Sequence, residues 1–240
     1  MDALIAGART LGLELTPAQV ERYRRYLAVL TAWNARVNLT SPAALADAER
    51  IHFLDSLTLA PHVLQAFPGG GSPSLIDVGS GAGFPGLALH IALPDLRVTL
   101  LEATGKKAEF LRAVCAELGL TGVDVVTARA EEAAHDPALR EQFDVVTARA
   151  LGPLATVCEL TLPFCRVGGL LIASRGADAE SEASRCEGAL ESLGGRLRAV
   201  AGVDVPGLSG QRALVLVDKL NETPARFPRR SGMPAKRPLV

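Results

Sequence analysis

Two carboxylates and a run of glycines between them set the chemistry this chain can attempt. Asp77 interrupts the apolar stretch Leu75-Ile76-Asp77-Val78, and Gly79, Gly81 and Gly83 follow at alternate positions. Residues without a Cβ let a backbone turn tightly and let a ligand come close to its peptide groups. Glu102 ends a second apolar run, 98–101, in the position from which an acid about 20 residues after such a turn takes two ribose hydroxyls. These residue types point to a nucleotide-like ligand. Gly81, Gly83 and Gly86 also satisfy G-x-G-x-x-G, the dinucleotide fingerprint. A negative charge at Asp77 does nothing for a pyrophosphate; it suits a ligand carrying an amino group, such as the methionine end of S-adenosylmethionine. Glu102 serves a ribose in either case, so a nicotinamide cofactor stays open on these residues alone.

The elements that must hold these residues follow from the hydrophobic pattern. The run 75–78 reads as a buried strand, and Pro85 suits the first turn of a helix that Pro94 stops. Before it, Thr16-Pro17 marks a helix start, and Val20, Tyr23, Leu27, Leu30 and Trp33 recur at helical spacing with Arg22, Arg24 and Arg25 on a solvated face. A second helical run is expected over roughly 43–67. It places His52 and Asp55 three apart, on one face, as a local polar contact or a substrate-facing pair. Residues 68–73 read as a flexible connector. After Glu102 a helix is expected from Lys106-Lys107 to Leu118, ended by Gly119, then strands at 123–127, 143–147 and 168–173. The hexapeptide Val-Val-Thr-Ala-Arg-Ala occurs at 125–130 and again at 145–150, which marks two strands with the same finish at one sheet edge. The runs 196–205 and 212–220 flank a Pro/Gly/Ser turn and read as a hairpin. Five parallel strands closed by an antiparallel hairpin is the α/β layout of the class I S-adenosylmethionine-dependent methyltransferases, here with an N-terminal helical extension. The expected division is 1–70 for the helical part and linker, 71–220 for the methyltransferase domain and 221–240 for a tail.

Composition narrows the setting. A hydrophobic content of 48% supports a sizeable core. No apolar run nears the ~20 residues of a membrane span, and the N-terminus lacks the pattern of a secretory signal; a cytoplasmic protein is expected. The 4 cysteines form no C-x-x-C pair and the 4 histidines no ligand-spaced cluster, so free thiols and no metal are expected. Net charge is −1, but residues 219–240 hold six basic side chains against Glu222 alone. That Pro-rich basic tail shows no obvious secondary structure.

The whole chain resembles the bacterial small-subunit rRNA guanine-N7 methyltransferases, the RsmG or GidB family. The resemblance rests on Val37-Asn38-Leu39-Thr40, His52-Phe53-Leu54-Asp55-Ser56, the 77–86 glycine motif, Lys106-Lys107 with Phe110-Leu111, and the tail Pro228-Arg229-Arg230-Ser231-Gly232-Met233-Pro234 with Lys236. It implies S-adenosylmethionine as cofactor and 16S rRNA, in the 30S subunit or an assembly intermediate, as partner; nothing in the sequence suggests more than a monomer. It also implies that Gly79 and Phe84 line the cofactor site beside Asp77 and Gly81. Glu102, Ala103 and Thr104 would take the ribose side, Ala130 and Glu131 would lie by the adenine, and Arg149 would close the site and orient cofactor or guanine. Arg229, Arg230 and Lys236 are the implied RNA contacts. Two positions depart from the family pattern: Ile51 stands where a basic residue is common, and Arg175-Gly176 where Lys-Gly is common.

The chemistry is compatible with this. Residues 149–153, Arg-Ala-Leu-Gly-Pro, do not form the Asn/Asp-Pro-Pro-aromatic loop that holds an exocyclic amine, and Cys158 and Cys165 read as helix thiols, not nucleophiles. Guanine N7 already carries a lone pair and needs neither base nor covalent intermediate. In A-form RNA that atom lies in a groove too deep and narrow for side chains, so the target is expected in an open region or extruded.

Overall fold

In the computed structural model, which describes residues 1–66, 71–205, 207 and 210–240, the apolar runs pair into one sheet. Its parallel members are β1 (Ser74–Val78), β2 (Arg97–Leu101), β3 (Val123–Val126), β4 (Phe143–Arg149) and β5 (Cys165–Arg175). The hairpin strands β6 (Gly195–Val203) and β7 (Arg212–Lys219) complete it, with β7 antiparallel to β5. The order β3-β2-β1-β4-β5-β7-β6 reverses direction between β1 and β4, the switch point at which open α/β sheets bind ligands. A central parallel strand is covered on both faces and so reads as a nearly continuous apolar run. Leu75, Ile76 and Val78 are accordingly buried. Alternation sends Leu75, Val145, Leu170 and Ile172 to one core and Ile76, Val146, Leu171 and Val217 to the other.

The helices cover both faces. On the N-terminal side are α1 (Asp2–Thr10), α2 (Pro17–Asn34), α3 (Pro42–Ala46), α4 (Asp55–Leu57) and α5 (Ala60–Ala66). Then come α6 (Gly86–Ala92), α7 (Gly105–Leu118), α8 (Ala130–Ala133), α9 (Leu154–Thr161), α10 (Ala179–Arg185), α11 (Glu187–Ser192) and α12 (Met233–Lys236). Helix α2 begins where expected, with a capping box between Thr16 and Gln19. Its buried stripe is Gln19, Val20, Tyr23, Tyr26 and Leu30. Gln19 Nε2 donates to Ile91 and Ala92 carbonyls at 2.9 Å, and Tyr23 donates to the Ala88 carbonyl at 2.7 Å. The N-terminal helices and the sheet therefore share one core, in which Leu4, Tyr23 and Phe53 belong to the same cluster as Leu75 and Leu87. No helix among the described residues is long and apolar enough to cross a membrane.

Two expectations are adjusted. The single helix over 43–67 is instead α3, a π-helical turn over Glu49–Leu54 running into α4, and a separate α5. Pro61 explains the last break, because a proline fits the first turn of a helix but cannot continue one. The tail is not structureless: it folds back on α8 and α9 and contains α12. The connector 68–73 and the hairpin turn 206–210 fall partly outside the described residues.

Candidate functional site

The turn after β1 is built as its glycines require. Gly79, Gly81 and Gly83 have φ of +74°, +56° and +89°, where an L side chain is strained. The start of the turn hangs on the end of β2, with Gly79 N and Ser80 N donating to the Leu101 carbonyl at 2.8 and 3.1 Å. Glu102, next in the chain, accepts from Gly81 N at 2.9 Å through one oxygen and from Thr104 N at 2.7 Å through the other. A carboxylate oxygen offers about two acceptor positions, so each keeps one for a ligand hydroxyl. Ala103 and Thr104 lie exposed beside it. A feature that the helical spacing missed is Tyr26, whose hydroxyl donates to the Ala82 carbonyl inside the turn. A Cβ at Gly83 would collide with that hydroxyl.

Asp77 takes a different place from the one its type suggested. It is fully buried under the turn, accepting from Gly86 N at 3.1 Å and from Thr147 Oγ1 at 3.0 Å. Burial pushes its carboxyl up to about 6, against the pull of the Gly86 and Thr147 hydrogen bonds and the Arg149 charge. It holds the first residue of α6 against β4, with its carboxylate closed off from solvent.

Arg149, at the end of β4, gathers the rest. Its guanidinium donates to Asp55 Oδ2 at 2.9 Å and the Ile51 carbonyl at 3.2 Å, and approaches His52 Nδ1 at 3.3 Å. A guanidinium only donates, so His52 Nδ1 accepts and its Nε2–H donates to Thr40 Oγ1 at 2.7 Å. Burial, helped by the Arg149 charge, lowers the imidazole to about 4, which keeps it neutral near pH 7. The His52 ring stacks on Phe84 at 4.7 Å, Tyr26 stacks on Phe84 at 5.3 Å, and Arg149 lies over the same ring. Asp55 also holds Arg212 of β7 at 3.0 Å. His52 and Asp55 thus meet on Arg149 instead of on each other. Their shared helical face was visible in the sequence; the arginine that joins them, 94 or more positions away, was not.

Of the remaining predicted site residues, Ala130 is half-buried at the start of α8, while Glu131 is buried with Oε1 accepting from Gly232 N of the tail at 2.8 Å. The tail basics divide. Arg229 grips the fully buried Glu159 through Nε and Nη2 at 2.8 and 2.6 Å. Arg230 and Lys236 are exposed. The tail is further fixed by Arg140, which donates to the Phe227 and Thr223 carbonyls, and by buried Lys219, bonded to Glu141, Leu162 O and Thr223. Cys158 and Cys165 are buried as expected, and burial raises the Cys165 thiol to about 12.

Known proteins resemble this chain. The family described as GidB, rRNA small subunit methyltransferase G, matches residues 19–214. A Ribosomal RNA small subunit methyltransferase G from Roseiflexus sp. (strain RS-1) is 50% identical over 243 residues, covering 100% of both chains. One from Dehalococcoides mccartyi (strain CBDB1) is 45% identical over 240 residues, again covering 100% of both. Among solved structures, a mutant of MtNAS in complex with S-adenosylmethionine aligns with a TM-score of 0.54 at 18% identity, covering 91% of this chain and 77% of that one. At that identity the likeness concerns the fold, and the expected class I methyltransferase fold stands.

Proposed function

Because the chain belongs to the rRNA small subunit methyltransferase G family, we propose that it transfers the methyl group of S-adenosylmethionine to N7 of a guanine in 16S rRNA. The observation that carries the reading is Glu102, a buried carboxylate that ties the glycine turn to the α7 N-terminus and keeps one acceptor position on each oxygen. That arrangement fits the two hydroxyls of a ribose. Gly79 and Gly81 let the ligand approach the turn, Ala103 and Thr104 flank the ribose, and Ala130 and Glu131 border the adenine side. Arg149 and Phe84 close the opposite end. The cofactor, once bound, supplies an electrophilic methyl on a sulfonium sulfur.

What remains for the protein is alignment, which can contribute many powers of ten to a displacement. His52, the histidine at this edge, has both ring nitrogens engaged and is not positioned to take a proton. Guanine N7 requires none. Arg149 is held from three directions and serves to orient cofactor or guanine. Exposed Arg230 and Lys236 supply phosphate contacts, which position RNA without reading sequence. The substrate is the 30S subunit or an assembly intermediate, and the protein acts as a cytoplasmic monomer.

The test is labelled methyl transfer from S-adenosylmethionine to 30S subunits lacking the modification, followed by nucleoside digestion. Label recovered as 7-methylguanosine, and lost with Gly79→Asp, is the expected result. Label in another nucleoside would overturn the acceptor. A folded protein that binds S-adenosylmethionine and transfers nothing would instead be a ribosome-binding factor.

A further inference from the structure

Beside the cofactor turn, on the β4–β5–β7 side of the switch point, the sheet edge opens into a cavity of about 290 Å³. Neither the glycine turn nor Glu102 lines it. Its walls include Asp55, Arg149, Ser174, Arg175 and Arg212, contributed by α4 and the ends of β4, β5 and β7. We propose that this cavity receives the extruded target guanine, with Asp55 reading its Watson–Crick edge; this rests on the methyltransferase reading above.

The donor and acceptor pattern of the walls carries the assignment. Asp55 Oδ2 accepts from Arg149 and Oδ1 forms an ion pair with Arg212, so the carboxylate is held fixed with acceptor positions remaining on both oxygens. Guanine is the base that presents two neighbouring donors, N1–H and N2–H2, next to the O6 acceptor. A carboxylate flanked by guanidinium groups complements that array: Asp55 takes the two donors, and arginine N–H groups face O6. Adenine offers an acceptor at N1 and would meet the carboxylate with a lone pair. Ser174 stands in the same wall. Its Oγ is closed to solvent and has no hydrogen-bond partner among the described residues, a costly state for a hydroxyl. Arg175 sets the rim, fixed by a two-pronged contact to Glu182 at 2.7 Å for each oxygen and by the Gly152 carbonyl at 2.7 Å.

The orientation also follows. Arg149 lies over Phe84, between the cavity and the glycine turn. A base whose O6 edge faces Arg149 presents N7, the neighbouring acceptor on that edge, toward the cofactor, while Asp55 holds the opposite donors. Asp55 and Ser174 are then specificity and positioning residues for the transfer.

The experiment measures methyl transfer to hypomethylated 30S subunits for the wild-type protein, Asp55→Asn and Ser174→Leu, with S-adenosylmethionine affinity taken by calorimetry on the same samples. Ser174→Leu adds bulk to the cavity wall beside Arg149, its partner across β4 and β5, and away from the glycine turn. It is expected to lower kcat/KM for 30S by at least ~100-fold, the scale of a misplaced reactant, with cofactor affinity within about twofold of wild type. Asp55→Asn, which turns one acceptor into a donor, is expected to cut transfer by a similar factor. Transfer at the wild-type rate by Ser174→Leu would overturn the proposal. So would a loss matched by an equal loss of cofactor affinity, which would assign the cavity to the cofactor. If the wild-type protein labels no guanine, the functional reading itself fails and takes this assignment with it.

Discussion

The two copies of Val-Val-Thr-Ala-Arg-Ala have the same six residues and almost nothing else in common. At 125–130 the segment finishes β3, the sheet's edge strand, where its valines are half-buried and Thr127 and Arg129 are exposed. At 145–150 it finishes β4, between β1 and β5, where Val145 through Ala148 are buried. Thr127 merely accepts from the exposed Arg112 at 2.8 Å, while Thr147 donates to the buried Asp77. Arg129 caps α8 in an extended conformation, and Arg149 binds Asp55, Ile51 and His52. Even the last alanine differs: Ala130 begins a helix and Ala150 has a φ of +55°. A local sequence carries a strand propensity and a set of functional groups; the neighbours decide what they are worth. The adjacent arginines of the tail repeat the contrast, with Arg229 on a buried glutamate and Arg230 in solvent.

That last pair offers the largest effect. Arg229→Ala strips the buried Glu159 of its guanidinium partner, leaving it the backbone N–H of residue 229, and is expected to lower stability by about 3–5 kcal/mol. Arg230→Ala should stay within about 0.5 kcal/mol and instead flatten the salt dependence of RNA binding. Urea unfolding of both, with binding to 30S at two salt concentrations, makes the comparison; equal stability losses would break it.

Next come the arginines of the repeat. Arg149→Ala should reduce methyl transfer by ~100-fold or more, as expected when a group that orients the reactants is lost, and Arg129→Ala should leave it within about threefold. Initial rates on 30S subunits measure both. Similar rates for the two variants would mean that the ends of β3 and β4 are functionally equivalent.

The valines give a smaller contrast. Val146→Ala removes two methyl groups from a closed core and should cost about 2–3 kcal/mol. Val126→Ala, on the half-buried edge strand, should cost under about 1 kcal/mol. Midpoints in chemical denaturation decide, and a reversed order would place β3, not β4, at the centre of the fold.

The threonines give the finest test, because their effect depends on pH. Asp77 has a folded value raised from 3.8 to about 6, so the stability it contributes is present below pH 3.8 and lost as pH rises through about 6. Thr147→Val removes a donor to the charged carboxylate. Its cost should be small at pH 4 and grow to about 1–3 kcal/mol at pH 7, whereas Thr127→Val should show no such trend. Denaturation curves at pH 4, 5.5 and 7 give the slope directly. A cost for Thr147→Val that is flat with pH would mean that Asp77 does not ionise in this window.

Much of the scaffold could be read from spacing, and the reason is periodicity. Leu75-Ile76-Asp77-Val78 and, in the second run, Val98, Leu100 and Leu101 are buried, so they appear as apolar runs, and the glycines after the first occupy a backbone region that other residues avoid. The hairpin and the helix ending at Gly119 were legible for the same local reasons. Glu102, too, lies where a strand end must present it.

The candidate site is another matter, since it depends on contacts between residues far apart in the chain. No local pattern says that Asp77 faces inward to Thr147, that Tyr26 braces the glycine turn, or that Asp55 joins Arg149 to Arg212. The sequence determined by itself where the chain could turn, what each strand could bury and which charges were present. The tertiary structure decided which of those charges face a ligand and which are held inside by a partner. A buried charge is kept only where a partner or hydrogen bond compensates its lost hydration, and for Asp77, Glu159 and Arg149 that partner lies 70 to 98 residues away.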